Sequence, residues 1–258
     1  MIRAQMTYGA AAVKARAMWA KCLTDSQWEQ LASPSGLWAV REILLGSPGW
    51  QTVESVQQGE MTAQRLTQAL EAQLERDLHA LCHFLPKADR AEVERFYRAL
   101  DRGMEPEEFQ RWWASLGKGN AALRRLAGAE ADGLNLVYIL RLRRFPVSLQ
   151  KAEEHLIPVR AKLRKDTVAA LLRARSDNDA LAVLAGTSWG KTFTSLAPVD
   201  LEKQYRAYMR SFCGHLLASG QPGLGAVLAV LVMKHDQLLK LRQVIGAVEQ
   251  GIDPRLVL

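Results

Sequence analysis

Apolar residues recur along this chain at three- and four-residue steps, the spacing that places side chains on one face of an α-helix. The longest stripe consists of Leu66, Leu70, Leu74, Leu78, Leu81 and Leu85. A second stripe consists of Leu228, Leu231, Leu238, Leu241, Ile245 and Val248. A shorter third stripe consists of Val93, Phe96, Tyr97 and Leu100. Each stripe predicts a helix that packs one face against a core.

Residues typical of helix ends accompany these stripes. Thr24 followed by Gln27 matches a capping box, and Pro106 suits a first helical turn. Asp89 and Asp200 stand where N-caps are expected. Breaks are predicted at 33–36, 46–49, 117–119, 186–190 and 219–225. About eight to ten helices result, and alternating strand patterns bounded by hairpin turns are absent, so the predicted fold class is all-α.

Two segments of the chain have similar sequences. A gapless offset aligns Leu23 with Leu163, Leu31 with Leu171, Leu44 with Leu184, Gly46 with Gly186 and Ser47 with Thr187. Trp50 and Trp189 fall one position apart in this alignment, and farther along a shifted register aligns Cys82 with Cys213. Chance similarity between amphipathic helices is the alternative. The matched glycines favour an internal duplication.

The composition of the chain bears on the size of its core, its net charge and its cellular compartment. A chain of 258 residues with 48% hydrophobic content can bury a sizeable core. Its 34 Lys and Arg against 27 Asp and Glu give a net charge of +7, which favours contact with nucleic acid, anionic lipid or an acidic protein. Three cysteines, Cys22, Cys82 and Cys213, are a sparse and odd set that indicates a reducing compartment. We therefore expect a cytoplasmic protein.

Targeting and membrane signals are weak. The longest apolar run, 223–233, is closed by Lys234 and is shorter than the roughly 18 residues of a membrane span. The first residues scatter basic side chains among alanines, without the compact apolar core of a secretory signal. The sequence predicts no membrane span and no signal peptide.

One segment, 186–192, has the look of a phosphate-binding P-loop, in which a lysine and a threonine contact phosphate and magnesium. That motif needs four residues between its glycines, whereas Gly186 and Gly190 enclose three. Pro198 follows soon after, so the helix whose N-terminus should face the phosphate is not evident. We interpret the segment as a structural turn, and we predict no bound nucleotide or other cofactor.

Metal and catalytic sites are also not predicted. His79, Cys82 and His83 have helical spacing at which side chains could converge on zinc. A closed structural site needs a fourth ligand, and no second Cys or His pair with finger spacing occurs. Buried thiols at a helix interface are the preferred interpretation. Serine motifs of the nucleophile-elbow type are missing, so the chain is not expected to be an enzyme.

Two basic clusters are the candidate partner-binding residues. They are Arg141, Arg143 and Arg144 in the first cluster, and Lys162, Arg164 and Lys165 in the second. Each cluster could be a solvated face, a landing surface for an acidic partner or a nucleic-acid surface. Neither aromatic residues for base stacking nor a recognition-helix motif accompanies them in the sequence.

Two parts of the chain carry motif-like segments: Tyr8, Val13–Ala17 and Leu23–Thr24 near the start, and Asp132–Arg141 in the middle. The first set resembles the start of the first helix of one family, the C (eukaryotic d) subunits of the archaeal and vacuolar-type rotary ATPases. The segment Asp132–Arg141 closely resembles that family's Asp-x-x-Asn-Leu-x-x-x-Leu-Arg helix. This is the strongest local match.

Further resemblance lies in the middle and at the end of the chain. The segments 155–158 and 181–187 are similar to the family's Leu-Ile-Pro step and Leu-x-x-Thr segment. Residues 238–245 look like its Asn-Leu-Arg-x-Ile helix, with Lys240 where asparagine is usual. The family usually has three similar helical modules in a funnel-like arrangement, whereas this chain is shortened to about two to two and a half. We therefore expect repeated helical modules in a funnel or a bundle, divided into 1–145, which includes shortened second-module material, and 146–258.

The resemblance implies a mechanical role. It implies a non-catalytic central-stalk protein that links the axle subunits to the membrane rotor ring in proton or sodium transport. Such a protein is peripheral to the membrane at its cytoplasmic face. The alternative is a stand-alone basic helical adaptor that binds nucleic acid, and it would require one concentrated basic face.

Overall fold

The computed structural model describes residues 2–116, 121–145, 147–219 and 223–258. Helices joined by turns make up this part of the chain, and no β-strand occurs among these residues, which confirms the all-α prediction. The helices are α1 (Ile2–Trp19), α2 (Asp25–Leu31), α3 (Leu37–Leu45), α4 (Ala63–Cys82), α5 (Lys87–Arg102), α6 (Pro106–Ser115), α7 (Ala121–Leu142), α8 (Leu149–Glu154), α9 (Lys165–Arg173), α10 (Asp177–Ala185), α11 (Pro198–Ala218) and α12 (Leu224–Glu249). Short 3₁₀ helices cover Gln51–Ser55, Gln58–Glu60 and Pro254–Leu256. The predicted break at 117–119 lies outside the described residues.

One compact unit comprises Met1–Asp101 and Leu216–Leu258. In this unit α12 packs against α1 and α4. The predicted leucine stripe of α4 is buried from Leu66 to Leu81, as expected for an amphipathic helix. Along α12 every residue from Ala226 to Leu238 is buried. A helix that is covered on all sides in this way forms the centre of its unit.

The second compact unit comprises Arg102–His215. Here α9 packs against α7 and α10. Two glycines of α7 allow other segments to approach its backbone. A Cβ at Gly128 would lie 2.5 Å from the Cβ of Ala161, and a Cβ at Gly133 would meet the buried ring of Tyr205. Because these two glycines have no side chain, the segment before α9 packs directly against Gly128, and helix α11 packs directly against Gly133.

Helix starts agree only partly with the sequence. The Thr24–Gln27 capping box is present, and Pro106 occupies the first turn of α6. The assignment of Asp89 and Asp200 as N-caps is wrong, because α5 begins at Lys87 and α11 at Pro198. Proline at or just before the first helical position fixes φ and sets an earlier start. Both carboxylates lie in a first turn, where the helix dipole still favours them.

The two segments of the proposed repeat have similar local structure. Helix α3 ends at C-cap Gly46 and α10 ends at C-cap Gly186, and the bounds of both helices keep the offset that aligns these glycines. Trp50 and Trp189 are both buried. Common origin of the segments remains a prediction, as does the modular division into 1–145 and 146–258. The compact units have other bounds, because α12 belongs with the N-terminal part of the chain.

Candidate partner-binding site

The segment Arg160–Leu163, which we call the strap, precedes α9 and is held by one buried carboxylate of α7. Asp132 is 1% exposed. Its Oδ1 accepts from the Ala161 N–H at 3.1 Å, and its Oδ2 accepts from the Lys162 and Leu163 N–H groups at 2.6 and 3.0 Å. Burial raises the pKa of this carboxyl, and the three backbone hydrogen bonds oppose the shift. The carboxylate therefore fixes the backbone course of the strap.

Asn135 makes a similar contact one helical turn later. Its Nδ2 donates to the Ile157 carbonyl oxygen at 2.9 Å, and its Oδ1 accepts from the Ile157 N–H at 2.8 Å. Positions three apart lie on the same face of a helix. The Asp-x-x-Asn motif thus holds the connection between α8 and α9 along one face of α7. The motif was evident in the sequence only as a family resemblance, and its structural role was not predicted.

An open cleft of about 870 Å³ lies beside the strap. Its walls are residues 160–167 and the turn 186–188. Four cationic side chains line this basic cleft against one carboxylate, that of Asp166; they are Arg160, Lys162, Arg164 and Lys165. The structure therefore brings together the three residues of the second predicted cluster.

Ion pairing leaves part of the charge in the basic cleft uncompensated. Arg160 and Lys165 lie 3.7 and 3.9 Å from Oε1 of Glu153, which is shared between them. Lys162 and Arg164 are exposed, and their side chains make no ion pair with a described residue. The basic cleft is consequently electropositive and accessible to an acidic group.

The first predicted cluster lies elsewhere, at the end of α7. Arg141 is 3.4 Å from Glu202. Arg143 forms an ion pair with Asp177 and donates Nη1 to the Ser176 carbonyl oxygen at 3.3 Å, and burial lowers its pKa, with the nearby charge of Arg144 adding to the effect. Arg144 donates Nη2 to the Leu196 carbonyl oxygen at 2.7 Å. Arg143 and Arg144 stabilise the start of α10 and the loop before α11, whereas Arg141 pairs with α11 itself. None of the three lines the basic cleft.

A smaller cavity of about 270 Å³ also uses the strap as a wall. Four aromatic side chains surround it, and they are Trp113, Trp189, Tyr208 and Phe212. We call this cavity the aromatic pocket. The Trp189 and Tyr208 rings pack at a centroid distance of 4.4 Å. Residues 160–162 line both the aromatic pocket and the basic cleft.

Two arginines of α7 face these rings. The guanidinium carbon of Arg124 lies 3.9 Å from the Trp113 ring centroid, and that of Arg125 lies 5.8 Å from the Phe212 centroid. Aromatic residues beside the basic clusters are not evident in the sequence, but the fold brings four of them next to Lys162 of the second cluster. The four rings come from α6, the turn after α10, and α11, so only the folded chain brings them together.

The remaining candidates from the sequence are the P-loop-like segment 186–192 and the set His79, Cys82 and His83. In the P-loop-like segment the Thr187 hydroxyl donates to the Leu184 carbonyl oxygen at 2.7 Å, and Trp189 is buried. His79 and His83 are exposed while Cys82 between them is buried. Within the described residues no group of His, Cys, Asp or Glu side chains could hold a metal ion.

None of the described helices combines the length and the apolar character that a membrane span requires.

Comparison with known proteins points to one family. The family model described as ATP synthase (C/AC39) subunit matches residues 106–257. This range includes α7 with its Asp-x-x-Asn motif and also α12, whereas the N-terminal resemblance lies outside it. No curated protein gave a match. Because the matched range covers more than half of the chain, this protein belongs to the ATP synthase (C/AC39) subunit family of the V/A-type ATPases.

Proposed function

We propose that this chain is the non-catalytic central-stalk, or rotor, subunit of a V/A-type ATPase or ATP synthase. In this role it links the axle subunits to the membrane rotor ring during proton or sodium transport, at the cytoplasmic face of the membrane. The observation that carries the proposal is the family match over residues 106–257. The match includes α7 with its Asp-x-x-Asn motif and also α12.

Mechanical coupling requires elements that do not deform when force passes through them. Helix α12 has 26 residues and α7 has 22, which correspond to lengths of about 39 and 33 Å at the usual rise per residue. Both helices are extensively buried within their own compact units. Close-packed helices of this kind transmit strain because protein interiors have low compressibility. These features support a coupling role.

The basic cleft supports contact with an acidic partner. Its two unpaired cations, Lys162 and Arg164, are exposed on the strap and at the N-cap of α9. Complementary charge of this kind speeds and orients docking more than it tightens the final complex. We therefore assign Lys162, Arg164 and Lys165 to partner contact. Arg141, Arg143 and Arg144 do not line the basic cleft, so we do not assign them to this contact.

The test mixes the purified chain with the axle subunits of its host's ATPase and, separately, with ring-containing membranes. At about 0.15 M salt the screening length is about 8 Å, and at about 1 M it falls to about 3 Å. We expect retention on both partners at the lower salt and slower association at the higher salt. The K162E/R164E double variant should associate more slowly than wild type, whereas R175E, an exposed arginine outside the basic cleft, should not.

Retention on neither partner, together with tight and salt-sensitive binding to RNA or DNA, would refute the stalk assignment and support a nucleic-acid adaptor.

A further inference from the structure

The aromatic pocket contains buried hydrogen-bond donors that have no acceptor. Trp189 is 1% exposed, and its indole Nε1 has no hydrogen-bond partner among the described residues. The Nε1 of Trp113 is also buried without a partner in this part of the chain. Buried polar groups in folded proteins are normally paired, because an unpaired donor costs free energy. Two such donors in the wall of one cavity indicate that the cavity accepts a polar ligand group.

Most of the charged side chains that line the aromatic pocket are positive. Arg124, Arg125, Arg160 and Lys162 line it, and Asp132 is its only carboxylate among the lining residues. Both oxygens of Asp132 already accept backbone hydrogen bonds from the strap. Arg125 is exposed, and its contact in the unit is with the Phe212 ring. The pocket therefore favours a group that offers hydrogen-bond acceptors and is accompanied by negative charge.

We propose that the aromatic pocket receives one large side chain that carries a hydrogen-bond acceptor, such as a tyrosine, from an acidic segment of an axle subunit, and that the adjoining basic cleft binds the carboxylates of the same segment. This inference rests on the proposed stalk function and identifies the surface that function would use. The strap lies between the two compartments, since residues 160–162 line both of them.

Pocket size and composition agree with such an occupant. A volume of about 270 Å³ holds a single side chain and is small for a complete drug-sized ligand, which usually needs 300 Å³ or more. Trp, Tyr and Arg are the residues that dominate the energetic centres of protein interfaces. The aromatic pocket is recessed, so a protruding side chain can fill it whereas a flat surface cannot. These properties favour a projecting segment of a partner over a flat partner surface.

The test measures the affinity of the full chain for purified axle subunits of its host by calorimetry. A129F fills the aromatic pocket from α7 without a change of charge, and W189F retains a ring but removes the unpaired N–H. K162E reverses a cation shared by both compartments. R175E is the matched control, because Arg175 is exposed in the same unit and lines neither compartment. Circular dichroism identifies any variant that fails to fold.

We expect A129F and K162E each to weaken binding at least about tenfold, as for residues at the centre of an interface. W189F should weaken binding by a smaller factor, and R175E should remain within about twofold of wild type. If A129F does not fold, the W189F and K162E results decide the matter.

Three outcomes contradict the inference in distinguishable ways. If wild type does not bind the axle subunits, the stalk function is itself wrong. If wild type binds and the pocket variants bind equally well, the stalk function stands and this docking surface is wrong. If ATP, used as a probe of small aromatic anions, binds saturably to wild type and not to A129F, the pocket holds a small molecule instead.

Discussion

Lys234 lies near the middle of α12, where its ammonium group is almost completely buried. It forms an ion pair with Asp77 of α4 and donates to the Gly49 carbonyl oxygen at 2.8 Å. Its Nζ also lies 4.6 Å from the Trp50 ring centroid. Asp77 accepts a second hydrogen bond, from Gln73 at 3.0 Å. A charged lysine is stable in this interior because a carboxylate, a carbonyl oxygen and a ring face lie next to its ammonium group.

Removing that charge should destabilise the first unit strongly. In Lys234→Met the Asp77 carboxylate stays buried without its cation, so we expect the free energy of unfolding to fall by about 3–5 kcal/mol. Urea denaturation measures the change. Arg65→Met is the control, because Arg65 and its partner Glu60 are more than half exposed, and such surface pairs contribute about 0–1 kcal/mol. Equal effects of the two substitutions would contradict the importance of the buried pair.

Buried thiol and phenol groups predict weakening at alkaline pH. Burial raises the pKa of Cys22 and Cys82 to about 11 and that of Tyr8 to about 12, where the hydrogen bond to Asp89 contributes. The folded chain thus holds these protons more tightly than the unfolded chain does. Stability should be complete below about pH 9 and should fall as pH rises from about 9 to 11.

Urea denaturation at pH 8 and pH 10.5 tests this sign. The Cys22→Ala/Cys82→Ala double variant should lose less stability between the two pH values than wild type. A wild-type stability that is constant or rising over this interval would show that the thiols are not held protonated by burial.

At the scale of helices, α7 organises the second unit through two polar side chains and two glycines on its surface. Asp132 and Asn135 bind backbone groups of the incoming chain, and Gly128 and Gly133 let that chain and α11 approach closely. Polar contacts fix the position of the strap, whereas apolar contacts alone would allow it to slide. The walls of the basic cleft and the aromatic pocket therefore depend on one face of α7.

Asp132→Asn should loosen the strap. An amide retains one acceptor oxygen and turns two donors toward backbone N–H groups, so at least one buried donor loses its partner, at a cost of about 1–3 kcal/mol. We expect faster hydrogen exchange at the Ala161–Leu163 amides and a lower midpoint in urea. Asp166→Asn, at an exposed residue with no such bonds, should leave both measurements within error.

Local rules account for most helices, and long-range packing accounts for the site. The leucine stripe of α4 and the Thr24 capping box follow from spacing along the sequence. The aromatic pocket does not, because Trp113, Trp189 and Phe212 are distant in sequence and meet only after α6, α7 and α11 pack. Periodicity carries no information about such distant meetings.

At the scale of the whole molecule, one compact unit is continuous in sequence and the other is not. The second unit is a single stretch, Arg102–His215, whereas the first needs both Met1–Asp101 and Leu216–Leu258. Helix α12 supplies the buried centre of the first unit. The first unit cannot bury the alanines of α1 and the leucine stripe of α4 without a segment that follows the second unit in the chain.

This arrangement predicts unequal behaviour of fragments. A fragment covering residues 102–215 should fold on its own, because it contains all of its unit. A fragment covering 1–215 should contain one folded unit and an N-terminal part that has lost α12 and exposes apolar surface. Circular dichroism, limited proteolysis and dye binding should distinguish them. A fragment 1–215 with a protease-resistant N-terminal part would contradict the assigned packing of α12.

The order of synthesis on the ribosome gives the discontinuous unit a particular consequence. Chains are made at about 5–20 residues per second, and domains fold as units when their sequence is complete. Residues 1–101 are translated before the second unit, whereas α12 follows only after that entire unit. At such rates the apolar residues of α1 and α4 wait on the order of 10 seconds for their partner helix. During this interval the N-terminal segment is the part of the newborn chain that most needs a chaperone.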